Sequence, residues 1–140
     1  MSYKPTPKEI SELRARSWLA TRYPGRYDLD QIYGDDAAEV ARANEEQNLS
    51  LGVYLDEPLP QLVSVTRTRD LGELVEVEVV LDAGPATVRG DDDDLPRGVL
   101  PGGSHRGLFT LGRDGPEGGW RIHSVTELLV GSRTTGQEPQ

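Results

Sequence analysis

The chain has 140 residues, a formal net charge of −9 at pH 7, 35% hydrophobic residues and no cysteine. This length suffices for one domain with a buried core, and the lack of cysteine excludes disulfides, thiolate metal sites and cysteine nucleophiles. No apolar run reaches the length of a membrane span, and the first ten residues do not resemble a secretory signal. We therefore expect a cytoplasmic protein that does not bind membranes.

The negative charge is concentrated in one segment. Residues 73–94 contain eight acidic side chains and one basic side chain, Arg89, which gives this segment a net charge of −7. Such a segment repels a phosphate backbone, so nucleic-acid binding is not expected. Two interpretations stay open: the charge keeps the protein soluble, or it attracts a basic protein partner.

The first predicted helix begins at the letters TPKE, residues 6–9. Thr6 is placed to cap the helix, proline follows at the first helical position, and Glu9 is placed to reach back to the cap. Apolar residues then recur at helical spacing as far as about Arg22. The letters YPG that follow contain two helix breakers and end the helix.

A second predicted helix covers about Ala37–Asn48, with Asp35 or Asp36 as its cap. One face of this helix carries Ala37, Val40, Ala41 and Asn44. Because this face is only weakly apolar, we expect the helix to lie on the surface and not to fill the core.

Alternating apolar and polar residues then predict strands over residues 49–55, 62–69, 74–81, 106–112 and 120–128, with a long connection over 83–104. In the strongest strand the valines face the core, and Glu76 and Glu78 face solvent. Helices followed by an antiparallel meander predict an α+β fold, with N-terminal helices packed on a curved antiparallel sheet. We expect one domain over residues 1–130 and a flexible tail over 131–140.

Two tryptophans are predicted to anchor the core. Trp18 lies on the first helix and Trp120 begins the last strand. We expect them to meet between the helix and the sheet.

This layout resembles the nuclear-transport-factor-2-like superfamily, which includes ketosteroid isomerases and polyketide cyclases. The resemblance is carried by the helical first third, the hairpin VSVTRTRDLGELVEVEVVL and the closing pair RGLFTLGRDGPEGGWRIHSV. It implies a cone with a pocket at its mouth. Members include isomerases, cyclases and dehydratases as well as non-catalytic binding or dimerisation modules, and the family's catalytic tyrosine and aspartate have no matching positions here.

The stretch RGDDDDLPRG contains four consecutive aspartates, Asp91, Asp92, Asp93 and Asp94. A calcium loop alternates its ligands with spacers and ends in glutamate, and this run does neither, so no metal site is predicted. The Gly-rich segments match no phosphate-binding loop, so no cofactor is predicted. The run is either a solvated loop neutralised by flanking arginines or, with Glu76 and Glu78, a docking surface for a basic partner.

Three residues are candidates for acid–base chemistry: His105, His123 and Tyr54. The two histidines lie eleven and seven residues from Pro116, the middle of the loop that joins their strands. They are therefore not expected to face each other directly, which disfavours a two-histidine metal site. Simple alternation in the last strand places His123 on the opposite side from Trp120 and Ile122.

The leading hypothesis is a non-catalytic binding or interaction domain with an acidic, partner-facing surface, able to form a homodimer through the open face of its sheet. The alternative is a small enzyme that acts on a hydrophobic metabolite in the cone. A third hypothesis is an acidic inhibitor or immunity-type protein that blocks a basic enzyme.

Overall fold

The computed structural model describes residues 4–113 and 119–130, the last four of them by their backbone alone. The chain begins with helix α1 (Pro7–Arg22), a short 3₁₀ helix (Leu29–Gln31) and helix α2 (Asp35–Leu51). The strands that follow are β1 (Val53–Asp56), β2 (Gln61–Asp70), β3 (Leu74–Ala83), β4 (Ala86–Gly90), β5 (Pro96–Leu100), β6 (Gly103–Arg113) and β7 (Trp120–Val130). The predicted tail over 131–140 lies outside the described residues.

The strands form two antiparallel sheets behind the N-terminal helices. One has four strands in the order β2-β3-β6-β7, and the other has three in the order β1-β4-β5. The predicted α+β fold, with helices before a curved sheet, is confirmed. The predicted hairpin of β2 and β3 is also confirmed, with Gln61 opposite Asp82 and Asp70 opposite Val75.

The core lies between the helices and the four-stranded sheet. Strand β3 alternates strictly, so that Val77 and Val79 are completely buried while the residues between them are half-buried. Leu111 on β6 and Ile122 on β7 are each 1% exposed and belong to the same cluster as Leu13 of α1. The apolar alternation of these strands therefore marks the face that the helices cover.

The capping box at the start of α1 forms as the sequence predicts. The Thr6 hydroxyl accepts a hydrogen bond from the Glu9 amide at 3.1 Å, and the Glu9 carboxylate accepts one from the Thr6 amide at 2.9 Å. Two amides that the first turn would leave unpaired are thus satisfied locally.

We expect Thr6→Ala to lower the free energy of unfolding by about 1 kcal/mol, because it removes the side-chain acceptor of this cap. Urea unfolding of the two proteins measures the difference. Thr6→Ser keeps the hydroxyl and serves as the control. If the serine and alanine variants are equally destabilised, the cap is not the cause.

Two strand predictions are wrong. Residues 49–51 continue α2, which ends at Gly52 with φ +67, and the strand begins only at Val53. Leu49 and Leu51 are 50% and 64% exposed, so their spacing does not mark a buried face. The helix stops at this glycine, whose left-handed conformation lets its amide donate to the carbonyls of the last turn.

The segment 83–104, predicted as a connection, contains the antiparallel pair β4 and β5. All five residues of β5 are exposed. A strand with no buried side leaves no alternating pattern in the sequence, because neither face selects apolar residues.

The predicted meeting of the two tryptophans in the core is not supported. Trp120 is 7% exposed and belongs to the core cluster. Trp18 is half-buried and lies outside that cluster, and its indole N–H donates to the Glu57 carbonyl at 2.9 Å. Trp18 therefore fastens the connection between β1 and β2 to helix α1.

Candidate functional site

A cleft of about 530 Å³ lies between the two helices and the four-stranded sheet. Its apolar wall includes Ala37, Val40, Leu55, Phe109, Ile122 and Val125. Its polar wall includes Ser17, Tyr33, His105 and His123. Clefts that bind small molecules have volumes of about 300–1,000 Å³ and a mainly apolar lining with a few polar groups.

The weakly apolar face predicted for α2 lines this cleft. Ala37, Val40, Ala41 and Asn44 all contribute to its wall. The helix lies on the surface, as expected, with Ala38 as its one buried residue, and its small side chains leave space where larger ones would close the cleft. The weakly apolar face of α2 is therefore a wall of the cleft.

A β-bulge in β7 lies at His123, one of the residues that line the cleft. Thr110 pairs with Ser124 and Leu111 pairs with Ile122, so His123 has no partner on β6. Residues 122–125, four consecutive positions of β7, all line the cleft, so the expected placement of His123 and Ile122 on opposite sides stays a prediction. The extra residue of a bulge breaks the two-residue period and redirects the side chain.

Two glycines leave room for the His123 ring. A Cβ on Gly34 would lie 2.8 Å from its Cε1 and Nε2 atoms, and a Cβ on Gly112 would lie 2.8 Å from Nε2. Neither glycine has a positive φ. Glycine is therefore suited to these positions by the close approach of the imidazole and not by the backbone conformation.

Asp35 holds the other side of the ring. Its Oδ2 lies 2.6 Å from His123 Nδ1, and the His123 side chain is 15% exposed. Asp35 has φ +48, an unusual conformation for a residue with a side chain. The predicted role of Asp35 or Asp36 as helix cap is not observed, because Gly34 occupies the N-cap and no side chain caps the helix.

The chain before Asp35 is fixed to the edge of β7. The Gly34 amide donates to the Ile122 carbonyl, and the Ile122 amide donates to the Ile32 carbonyl, both at 2.8 Å. These bonds place Asp35 beside His123 although the two residues are far apart in sequence. No sequence signal reports this pairing, because it depends on where α2 crosses the sheet.

His105 lines the same cleft from β6, where it pairs with Leu129 and not with His123. The predicted offset of the two histidines is thus confirmed. The His105 imidazole makes no hydrogen bond to another described residue. Within residues 4–113 and 119–130 no group of three or more metal-ligating side chains comes together.

A pair of hydroxyls in the cleft was not predicted from the sequence. Ser17 Oγ of α1 and Tyr33 Oη, which follows the 3₁₀ helix, share a short hydrogen bond. Ser17 is 8% exposed. Its place on the buried face of α1, one helical turn after Leu13, is the signal that could have identified it.

Tyr54 is not part of the cleft wall. It lies on β1, and its hydroxyl donates to Asp94 Oδ1 at 2.6 Å. This hydrogen bond raises the pKa of Tyr54. The bond favours the neutral phenol, so the geometry gives Tyr54 a structural role in the β4–β5 turn and offers no support for acid–base chemistry.

The aspartate run forms the turn between β4 and β5 and is held by local bonds. Asp93 accepts from the Leu95 amide at 2.9 Å, which lowers the pKa of Asp93, and it pairs with Arg97 at 3.2 Å. Arg97 also lies 3.6 Å from Asp92. The Asp91 amide donates to the Gly52 carbonyl. The flanking arginine thus offsets part of the charge, as the sequence suggests.

Glu76 and Glu78 lie on the other sheet and are also paired. Glu76 is 3.1 Å from Arg69, and Glu78 is 3.5 Å from Arg67 and 3.8 Å from Arg106. The two groups of acids predicted to form one partner-facing surface therefore belong to different sheets. Each has arginine beside it, which weakens its field towards a distant partner.

No protein-family model matches the chain, and comparison with curated proteins finds no match. Among solved structures, the chain is similar to the intermembrane space region of the chloroplast protein ARC6, with a TM-score of 0.63 and 16% sequence identity. The match covers 88% of this chain and 93% of that chain. At this identity the likeness shows a shared fold and nothing more. None of the helices in the described part of the chain combines the length and the apolar composition of a membrane-spanning helix.

Proposed function

We propose that this chain is a binding domain of the nuclear-transport-factor-2-like type, whose cleft takes a small hydrophobic ligand that carries a polar group. The observation that supports this most directly is the cleft of about 530 Å³ between the helices and the sheet. The apolar residues that line this space lack packing partners on one side, and a bound ligand would provide them.

The lining of the cleft is graded from its floor to its mouth. Ile122 and Phe109 are 1% and 5% exposed, whereas Val125 and Val40 are 43% and 59% exposed. A ligand can therefore enter from solvent, and its apolar part would leave water as it moves inward. The gradient favours an elongated or amphipathic ligand.

The polar groups in the cleft wall can orient a bound ligand through hydrogen bonds. The hydroxyls of Ser17 and Tyr33 are bonded to each other, and His105 has no hydrogen-bond partner among the described residues. A ligand oxygen or nitrogen near His105 would satisfy the imidazole. The ligand would thus be recognised by one or two hydrogen bonds within an apolar surface.

Docking of a basic protein on the aspartate turn stays a second prediction. The acidic inhibitor or immunity-type role and the homodimer also stay predictions. Docking is supported by Asp92, whose side chain is 80% exposed. Retention of a partner at low salt and its loss at high salt would test it, because ionic screening weakens such contacts. The arginines beside the acids make the cleft the better-supported site.

We expect the uncharged fluorescent probe N-phenyl-1-naphthylamine to bind saturably, with one site per chain. Val40→Trp places a large ring at the mouth of the cleft and should weaken binding by about tenfold, or about 1.4 kcal/mol. Valine and tryptophan have similar helix propensities, so the helix should be little affected. Fluorescence titration measures both affinities.

Val63→Trp is the matched control, because Val63 is 62% exposed on β2 and does not line the cleft. Its affinity for the probe should equal that of the unchanged protein. The proposal fails if the probe does not saturate, or if both tryptophan variants bind it equally.

A further inference from the structure

We propose that a groove between α1 and α2, beside the cleft, binds the polar head of the ligand, and that the ligand is a neutral amphiphile whose head carries several hydroxyl groups, as a sugar does. This inference rests on the proposed function, because the apolar part of the same molecule must occupy the cleft. Two features support it: the position of the groove and the chemistry of its lining.

The groove has a volume of about 230 Å³ and adjoins the cleft. Thr21, Tyr33, Ala41 and Asn44 line both spaces. The two helices leave this space between them because Ala20 and Thr21 on α1 and Ala41 on α2 are small side chains that do not fill it. A molecule bound in the cleft can therefore extend past Tyr33 into the groove.

The side of α2 that lines these two spaces changes from apolar to polar along the helix. Ala37 and Val40 line the cleft, whereas Gln47 and Asn48 line only the groove. Ala37 and Asn48 lie about 16 Å apart along the helix axis, since each residue of an α-helix advances the axis by about 1.5 Å. An elongated ligand that lies along α2 would thus meet apolar side chains at one end and carboxamides at the other.

The floor of the groove is apolar and its rim carries unused hydrogen-bonding groups. Ala20 and Leu29 are 6% and 7% exposed. Asn44 and Gln47 are exposed and Asn48 is half-buried, and none of their carboxamides forms a hydrogen bond to another described residue. A carboxamide both donates and accepts hydrogen bonds, as a hydroxyl does. The rim therefore matches a head that carries several hydroxyls.

The charge of the lining disfavours an ionised head. Among the described residues that line the groove, Glu45 alone is charged, and its carboxylate accepts a hydrogen bond from the Gly25 amide at 2.8 Å. An anionic head would lie beside this carboxylate without a basic residue in the described lining to pair with it. An ammonium head only donates hydrogen bonds, so it would leave the donors of the carboxamides unused.

A suitable probe is n-octyl β-D-glucopyranoside, which joins an apolar chain to a neutral sugar. Three compounds with the same chain serve as comparisons: 1-octanol without the sugar, octanoate with an anionic head and octyltrimethylammonium with a cationic head. Displacement of N-phenyl-1-naphthylamine, measured below the concentrations at which micelles form, gives each affinity. We expect the glucoside to bind about tenfold more tightly than the other three, the gain expected from one or two added hydrogen bonds.

The double variant Gln47→Ala, Asn48→Ala tests the groove directly, because both residues line the groove and not the cleft. Alanine has a higher helix propensity than either residue, so α2 should stay folded. We expect the affinity for the glucoside to fall about tenfold, to that of 1-octanol, while the affinities for 1-octanol and N-phenyl-1-naphthylamine stay unchanged. Ser50→Ala, on α2 but in neither lining, is the control and should change no affinity.

The inference is overturned if 1-octanol, octanoate or octyltrimethylammonium binds as tightly as the glucoside, or if the double variant keeps the full affinity for the glucoside. Saturable binding of N-phenyl-1-naphthylamine would then still support the proposed function. Absence of saturable binding of this probe would instead refute the proposed function itself.

Discussion

Replacement of Leu111 by alanine is expected to lower the free energy of unfolding by about 2–5 kcal/mol. Leu111 is 1% exposed on β6, where it stands between Val75 of β3 and Ile122 of β7. Truncation removes its apolar contacts and leaves a cavity that the neighbouring strands cannot close, because both are held by backbone hydrogen bonds. Unfolding in urea, with unchanged slope, measures the loss.

Leu95→Ala provides the matched control for this change. Leu95 is 58% exposed in the turn between β4 and β5. The same truncation there should change stability by no more than about 0.5 kcal/mol. A loss at Leu111 as small as the loss at Leu95 would contradict the placement of β6 in the centre of the core.

Gly102→Ala is expected to destabilise the protein by about 3 kcal/mol. A Cβ at this position would lie 2.5 Å from the Gly84 carbonyl carbon and 2.6 Å from Ala83 O and Pro85 N. All three are backbone atoms, so no side chain can rotate away to make room. Thermal unfolding and urea unfolding should both report the loss.

Gly98→Ala is the control, because it lies four residues away on β5 and its Cβ would meet no atom within 4 Å. That variant should be nearly as stable as the unchanged protein. If the two alanine variants are equally stable, the backbone at Gly102 and the backbone at residues 83–85 do not lie in such close contact. The two connections, after β3 and after β5, lead from one sheet to the other. Their close contact therefore helps to position the smaller sheet, whose strand β1 carries the cleft residue Leu55.

The four aspartates of the turn between β4 and β5 have different roles in the structure. The sequence presents four equal charges, whereas the structure distinguishes them. Asp93 and Asp94 hold the turn through Leu95 and Tyr54, and Asp92 is largely exposed. Because Asp93 has a lowered pKa in the folded state, its contribution to stability is present at neutral pH and is lost only as the pH falls through that lowered value.

Only part of the cleft could be predicted from the sequence. His105 and His123 could be named as candidates, and their offset followed from counting residues on either side of their loop. That both line one cleft did not follow, because the cleft depends on where the helices and the sheet leave a space. The sequence pattern predicts Asp35 or Asp36 as a helix cap, since a carboxylate just before a helical pattern usually serves that purpose.

What the sequence determined by itself is what depends on near neighbours. The capping box at Thr6, the alternation of β3 and the hairpin of β2 with β3 are set by residues a few positions apart, so their patterns are visible along the chain. The exposed strand β5 and the cleft depend on how distant segments meet. Only the tertiary structure brings Asp35, Gly34 and Gly112 around His123, because their contact is made by packing and leaves no periodic trace in the sequence.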